Sequence, residues 1–280
     1  MSILNAIILG LVQGLTEFLP VSSSGHLVLL HKIFGISEPA LFFDTMLHLG
    51  TLAAVFVVLW KDIWGILRRI VQPLTGFLII ATIPAFIAAL AFGDFIERAF
   101  ETGRFLGFSF IITSLLLVTA EVLSRRAGSA RDTSLHDAGG IKKAEEMNWL
   151  DALIIGILQA IAILPGLSRS GATISGALFR KLNRDFAARF SFLLSIPAIL
   201  GAVVLQTKDL VKGGAQELFS ESLQAAPVII GTLTAAIIGF FAVKFMLKII
   251  REKSLFGFAI YTGILGILVL IDQYVTHLVF

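Results

Sequence analysis

Cysteine is absent from this chain of 280 residues, which excludes disulfides and thiolate metal sites and leaves the redox compartment unmarked. Charge is scarce as well. Asp, Glu, Lys and Arg together make up 15% of the residues, against about a quarter in soluble domains. With a mean hydropathy of +0.93, this balance argues against a water-soluble fold. No basic residue precedes Lys32, so residues 1–16 lack the basic region that opens a secretion signal and read as mature protein. The net charge of +3 is small and gives nucleic-acid binding no support.

What the chain does have is apolar length. Uncharged runs at 71–93, 105–120, 190–207, 222–243 and 254–271 approach or reach the length a helix needs to cross about 30 Å of hydrocarbon. Full spans are predicted at about 45–60, 74–92, 105–123, 190–206, 226–243 and 255–271. Trp60, Trp64 and Trp149 sit at span edges and fit an aromatic belt. Pro84 and Pro197 are expected to kink their spans. Two apolar regions remain, 1–30 and 149–179, and both are interrupted by Pro, Gly and Ser.

These two regions match at a fixed offset of 146. Ile8-Leu9-Gly10-Leu11-Val12-Gln13 corresponds to Ile154-Ile155-Gly156-Ile157-Leu158-Gln159, and Ser22-Ser23-Ser24-Gly25 to Ser168-Arg169-Ser170-Gly171. Shared apolar composition could imitate such a match, but polar and glycine identities at one register argue for a repeat. Each copy is followed by three spans. If each interrupted region enters and leaves by one face, the second half lies upside down relative to the first.

The expected fold is therefore an all-α polytopic membrane protein of two inverted-topology repeats, each a re-entrant broken helix pair plus three transmembrane helices. Residues 1–123 form the first repeat (re-entrant 1–30), 124–148 a polar cytoplasmic linker, and 149–280 the second repeat (re-entrant 149–179). Charge supports the scheme independently. Sixteen Lys and Arg fall on one face and five on the other, with Arg169 alone inside. The positive-inside rule makes the rich face cytoplasmic and puts both termini on the outer face.

Non-helical backbone at membrane depth must be buried in protein or line a wet cavity, because lipid cannot satisfy its amides. The segments 20–25 and 165–171 should then face each other or a pocket, with helix N-termini that favour an anion. The first break offers Glu17, Ser22, Ser23, Ser24 and His26, with Gln13 one turn before Glu17 on the same face; the second offers Ser168, Arg169, Ser170 and Thr173. Arg169 is costly in an uncharged stretch unless it meets a partner. Its planar fork suits phosphate or carboxylate oxygens, and an internal salt bridge to Glu17 is compatible with release to an anionic ligand. Glu17 could ligate Mg²⁺ or Ca²⁺, act as a base, relay protons, or only cap a turn. His26 could donate a proton, attack phosphorus, or be a satisfied polar residue. The serines fit either helix capping or an oxyanion pocket. Asp44, His48 and Glu121, near span ends, read as interfacial or helix-pairing residues.

The stretch Gln13-Gly14-Leu15-Thr16-Glu17-Phe18-Leu19-Pro20-Val21-Ser22-Ser23-Ser24-Gly25-His26, with Pro165-Gly166-Leu167-Ser168-Arg169-Ser170-Gly171-Ala172-Thr173, resembles the bacterial undecaprenyl-diphosphate phosphatases of the bacitracin-resistance family. The resemblance extends over the whole chain. It implies hydrolysis of the terminal phosphate of a C55 polyprenyl diphosphate lipid, giving the carrier for cell-wall precursors, in the bacterial plasma (inner) membrane. It further implies Arg169 on the diphosphate, Glu17 on metal or proton transfer, and Ser23 and His26 at the attacking or proton-donating position. Gln13, Ser22, Ser24, Gly25, Ser168, Ser170, Gly171 and Thr173 are then substrate-binding. The family's first motif is E/Q-xxx-E, and the Gln form here leaves one carboxylate for a divalent cation, Mg²⁺ or Ca²⁺. The chain is compatible with a homodimer.

Two rivals remain. Type-2 phosphatidic acid phosphatases share an element like Ser24-Gly25-His26, but they need a Lys…Arg-Pro motif and a histidine after Ser-Arg, and none follows Arg169 until His277. An inverted repeat with broken helices is also a transporter architecture, so a lipid or anion carrier or flippase is the alternative from another class.

Overall fold

A computed structural model describes residues 1–36, 41–129, 141–212 and 225–280. Among these residues the chain is helical, with twelve α-helices and one isolated bridge between Lys142 and Leu182. The middle of the linker, 130–140 with Arg131, lies outside the described residues.

Helix α1 (Ile3–Thr16) begins on Ser2, whose side chain accepts from Asn5 N at 3.1 Å. Helix α2 (Ser23–Phe34) follows a six-residue break and stops at Gly35, which takes a positive φ of 62°. Helix α3 (Leu41–Val58) was expected to end near residue 60. Instead the chain continues as α4 (Trp60–Arg68), bent by 78° from α3. Its residues explain the bend: exposed Trp60, Trp64 and Leu67 alternate with Lys61, Asp62 and Arg68, a two-faced helix that suits an interface and not hydrocarbon. Arg68 lies over the Trp64 ring at 5.0 Å.

Helix α5 (Pro73–Ala91) starts on a proline, which loses nothing at a first turn, and carries Pro84 inside it. Helix α6 (Gly93–Thr102), with Asp94, Glu97, Arg98 and Glu101, is a short two-faced helix that the hydropathy pattern did not reveal. Helix α7 (Leu106–Ser129) completes the first half. The second half contains α8 (Trp149–Ile161), α9 (Arg169–Phe179), α10 (Arg184–Lys212), α11 (Ala225–Glu252) and α12 (Phe256–Ile271). Among the described residues five helices are long and apolar enough to span a membrane, six if the bent pair α3–α4 is one span. The chain is a multi-pass membrane protein.

In lipid, helices gain little from hiding apolar surface against each other, so close backbone approach between small residues carries the packing. Helix α1 lays Ala6, Gly10 and Gly14 against α11, which answers with Gly231, Ala235 and Gly239. A Cβ on Gly10 would collide with the backbone oxygen of Gly231, and one on Gly14 would sit 2.9 Å from Ala235 O. Helix α8 meets α5 in the same way, Gly156 on the backbone of Ala81. Helices α3 and α10 also pack on α11 and α5 respectively, and α7 pairs with α12. At the offset of 146, α1, α3, α5 and α7 correspond to α8, α10, α11 and α12, so each of these contacts recurs with the halves exchanged.

Buried carboxylates tie one end of the bundle together. Asp151 receives Lys142 at 2.9 Å and Arg180 at 2.6 Å, while Glu121 receives Arg125 and Arg184, both at 2.7 Å, and Leu255 N at 3.0 Å. Glu121, read from sequence as an interfacial or helix-pairing residue, is the junction of three chain segments.

The close approach at Gly10 has a measurable consequence. Gly10→Leu should lower the thermal midpoint in detergent, with a loss of about 1–3 kcal/mol from overpacking against rigid backbone. Gly76→Ala, where a Cβ meets nothing within 4 Å, should leave it unchanged.

Candidate active site

Both breaks end in the same local chemistry. Ser22 caps α2 by accepting from Gly25 N at 3.2 Å, and Ser168 caps α9 by accepting from Gly171 N at 3.0 Å. Ser22 holds φ 72° and ψ 93°, a conformation that L residues rarely adopt and that strains the backbone by about 1–3 kcal/mol. That turn aims its carbonyl at His26 Nδ1, 2.6 Å away.

The breaks meet inside the protein. Ser170 Oγ donates to Leu19 O at 2.9 Å, and Gly171 lies against Pro20. Gly25 packs so tightly on Gly166 and the Phe110 ring that a Cβ there would stand 2.8 Å from Gly166 Cα and 2.6 Å from the ring. Phe18 fills the other side, edge-on to Phe192 of α10 at 5.4 Å. The second break is fastened to α7, where Thr113 accepts from Ser168 N at 3.0 Å and donates to Gly166 O at 3.3 Å.

Glu17 is the centre of the polar cluster. Arg169 Nη2 donates to its Oε1 at 2.6 Å, joining the two breaks by an ion pair between residues 152 positions apart. Its other oxygen, Oε2, accepts from Ser23 Oγ at 2.5 Å and from Gln13 Nε2 at 3.0 Å. His48 Nε2 stands 3.6 Å from the same oxygen, with Nδ1 fixed by Asp44 O at 2.7 Å. Arg169 also reaches Ser191 O at 3.5 Å, and Thr173 hydrogen-bonds Ser191 Oγ at 2.6 Å.

His26 belongs to a separate arm. Its Nε2 is 2.6 Å from the hydroxyl of Tyr261 on α12, and the two rings lie nearly parallel, 6° apart with centroids 5.7 Å from each other. Ser23 has one hydroxyl proton, and it points to Glu17, not to His26. Of the residues named from the sequence, Gln13, Glu17, Ser23 and Arg169 form one connected cluster. Ser22 and Ser168 are helix caps, with Ser24 and Ser170 at 3.4 Å and 3.2 Å from them respectively. Gly25 and Gly171 allow the breaks to touch, and Thr173 supports the turn that carries Arg169 through Arg169 O at 2.9 Å.

Sequence reasoning passed over Thr113, Ser191 and Tyr261 and ranked His48 low. Only an unusual polar residue on an apolar face marks any of them, and many such residues are ordinary.

A hard divalent cation takes oxygen ligands. The buried Oε1 of Gln13 has no hydrogen-bond partner, while the Nε2 of the same amide is the atom that meets Glu17, so the pair offers such an ion one carboxylate and a second oxygen only once the Gln13 amide turns over. Among the described residues no group of three or more His, Asp or Glu could hold a metal without help. Further ligands must come from substrate oxygens or water.

Comparison with known proteins places the chain. Residues 6–268 match the family described as Bacitracin resistance protein BacA. An undecaprenyl-diphosphatase of Carboxydothermus hydrogenoformans is 47% identical over 98% of both chains. Undecaprenyl-diphosphatase 3 of Bacillus cereus is 44% identical over 98% of both, and an undecaprenyl-diphosphatase of Halothermothrix orenii 40% identical over 97% of this chain and 98% of its own. With a match that covers nearly the whole chain and both interrupted motifs, this protein belongs to the Bacitracin resistance protein BacA family.

Proposed function

We propose that this chain is an integral membrane phosphatase that hydrolyses undecaprenyl diphosphate to undecaprenyl phosphate and inorganic phosphate, recycling the carrier for cell-wall synthesis and conferring bacitracin resistance. Family membership and the relatives' printed names support the activity. The observation that carries the mechanism is the Ser23–Glu17–Arg169 chain, in which a hydroxyl, a carboxylate and a guanidinium touch in sequence.

Phosphoryl transfer needs charge neutralisation, an in-line nucleophile and somewhere for the proton to go. In the resting arrangement Arg169 is held by Glu17; an arriving diphosphate offers the same fork geometry and draws Arg169 to its oxygens. The N-termini of α2 and α9 add their partial positive charge. Ser23 Oγ attacks the terminal phosphorus while its proton passes to Glu17 Oε2. The anhydride P–O bond breaks, and its electrons leave with undecaprenyl phosphate. Water then attacks the phosphoserine, losing a proton to His26 Nε2, and the proton on Glu17 returns to Ser23 as inorganic phosphate departs; His26 gives its proton to the departing phosphate or to solvent, which restores the neutral ring. Glu17 and Gln13 Oε1 would hold a divalent cation, which supplies further neutralisation of phosphate oxygens when bound. Ser24 and Ser170, paired with the two caps, complete the polar lining.

We also read the two halves as inverted repeats. The exchange of helix contacts between the halves supports this, as does the odd number of spans after each break. The turns between α4 and α5, α9 and α10, and α11 and α12, with the helix ends beside them and the 124–148 linker, carry sixteen of the 22 Lys and Arg and face the cytoplasm, so both termini lie on the outer face of the inner membrane. The prenyl tail stays in lipid while the head group enters between the breaks.

Three outcomes test these statements. Purified wild type in detergent should release inorganic phosphate from undecaprenyl diphosphate, faster with Mg²⁺ or Ca²⁺ than after chelation. Arg169→Ala, Glu17→Gln and Ser23→Ala should each lower kcat/KM by about a hundredfold or more; the thermal midpoint should stay near wild type in Ser23→Ala and fall in Arg169→Ala and Glu17→Gln, which break the buried ion pair. Undiminished turnover in either the Glu17 or the Arg169 variant would defeat the site. For orientation, the cysteine-free chain allows single-cysteine labelling in whole cells. A membrane-impermeant maleimide should modify Ser2→Cys and not Ser254→Cys, and the reverse pattern overturns the topology.

A further inference from the structure

Tyr261 takes no part in the mechanism above, yet its hydroxyl reaches 235 positions along the chain to the imidazole of His26. Three observations give that contact meaning. The carbonyl of Ser22 can only accept a hydrogen bond, so the His26 Nδ1 facing it at 2.6 Å must carry the ring proton. In the neutral ring Nε2 then has a lone pair, and the Tyr261 O–H is its donor. Both ring nitrogens are thereby fixed, one by the strained turn of the first break and the other by a helix of the second half.

Packing does not explain the tyrosine. Tyr261 is half exposed on the outer surface of the bundle, whereas the His26 beneath it is buried. The planes are nearly parallel and the hydroxyl is 2.6 Å from Nε2, so the two rings lie side by side, centroids 5.7 Å apart, and meet through the hydroxyl and not face to face. What the hydroxyl adds is one hydrogen bond to one nitrogen. The Phe110 ring blocks the other side, edge-on to His26 at 5.5 Å, so the imidazole has little room to turn.

We propose that Tyr261 is the positioning residue of His26: its hydroxyl keeps Nε2 as the proton-accepting nitrogen and fixes the direction of its lone pair, so that Glu17, which holds the Ser23 hydroxyl, takes the serine proton and His26 is reserved for the hydrolytic water. The proposal rests on the phosphatase reading for its kinetic consequence and on the hydrogen-bond geometry alone for its structural one. When water or a phosphate oxygen approaches, the tyrosine hydroxyl yields Nε2 and rebonds to the arriving oxygen, which leaves a lone pair of defined direction. No change in the protonation of the tyrosine is required, and no atom of Tyr261 is consumed.

The test is Tyr261→Phe, which keeps the aromatic ring and removes only the hydroxyl, read in two ways. With uniformly ¹⁵N-labelled histidine, the His26 resonances, assigned by their loss in His26→Gln, should show in wild type one protonated Nδ1 and one hydrogen-bonded, unprotonated Nε2. In Tyr261→Phe the Nε2 resonance should move toward that of a free pyridine-type nitrogen. Kinetically, Tyr261→Phe should lower kcat on the order of tenfold with KM nearly unchanged, because Arg169 still grips the diphosphate, and trapped phosphoserine should rise as the second step slows. Wild-type kcat in Tyr261→Phe, or an Nε2–H tautomer in wild-type protein, overturns the proposal. If wild type releases no phosphate at all, the phosphatase reading fails, while the resonances still decide the tautomer.

Discussion

Lipid offers no hydrogen bonds, and the polar groups of the two helix breaks are satisfied by each other and by α7. Leu19 O receives Ser170 Oγ, Gly166 O receives Thr113, and Glu17 receives Arg169. The last contact matters most. An arginine or a glutamate alone at this depth would be costly, whereas together they are an ion pair with every remaining carboxylate oxygen occupied by Ser23 and Gln13. The pair that permits the breaks to exist also assembles the site, since it brings a hydroxyl, its base and a phosphate-binding fork into one line.

The rest of the fold supplies rigidity for that line. Close approach of α1 to α11 and of α8 to α5 holds the helix before each break against a long apolar helix of the other half, by small residues and not by apolar burial. At the basic end, Glu121 and Asp151 bind arginines and lysines of successive loops, so the loops that connect these helices are pinned where water begins. A site made of pieces from both halves keeps its geometry only if both halves are held together, and these two sets of contacts do so at different depths.

Membership in the Bacitracin resistance protein BacA family and the chemistry of the cluster agree on substrate class. A prenyl diphosphate has a doubly anionic head and a tail that belongs in lipid, and the protein presents a guanidinium and two helix N-termini within a helical bundle.

Much of this was written locally in the chain. Hydropathy marked the long apolar helices, Pro, Gly and Ser marked the breaks, and Gly10, Gln13, Ser22 and Gly25 recur as Gly156, Gln159, Ser168 and Gly171, because apolar runs and helix breakers act over a few residues. Arg169 and Glu17 were legible for the same reason: a charge in an apolar run announces itself. The two-faced helices α4 and α6 were not, since short amphipathic helices interrupt a hydropathy profile without extending it. Tertiary structure alone decided that Ser23 bonds Glu17, that His26 bonds Tyr261, and that His48 stands beside the carboxylate. Those outcomes depend on how each helix is rotated and how deep it sits against partners up to 235 residues away, which spacing along the chain does not encode.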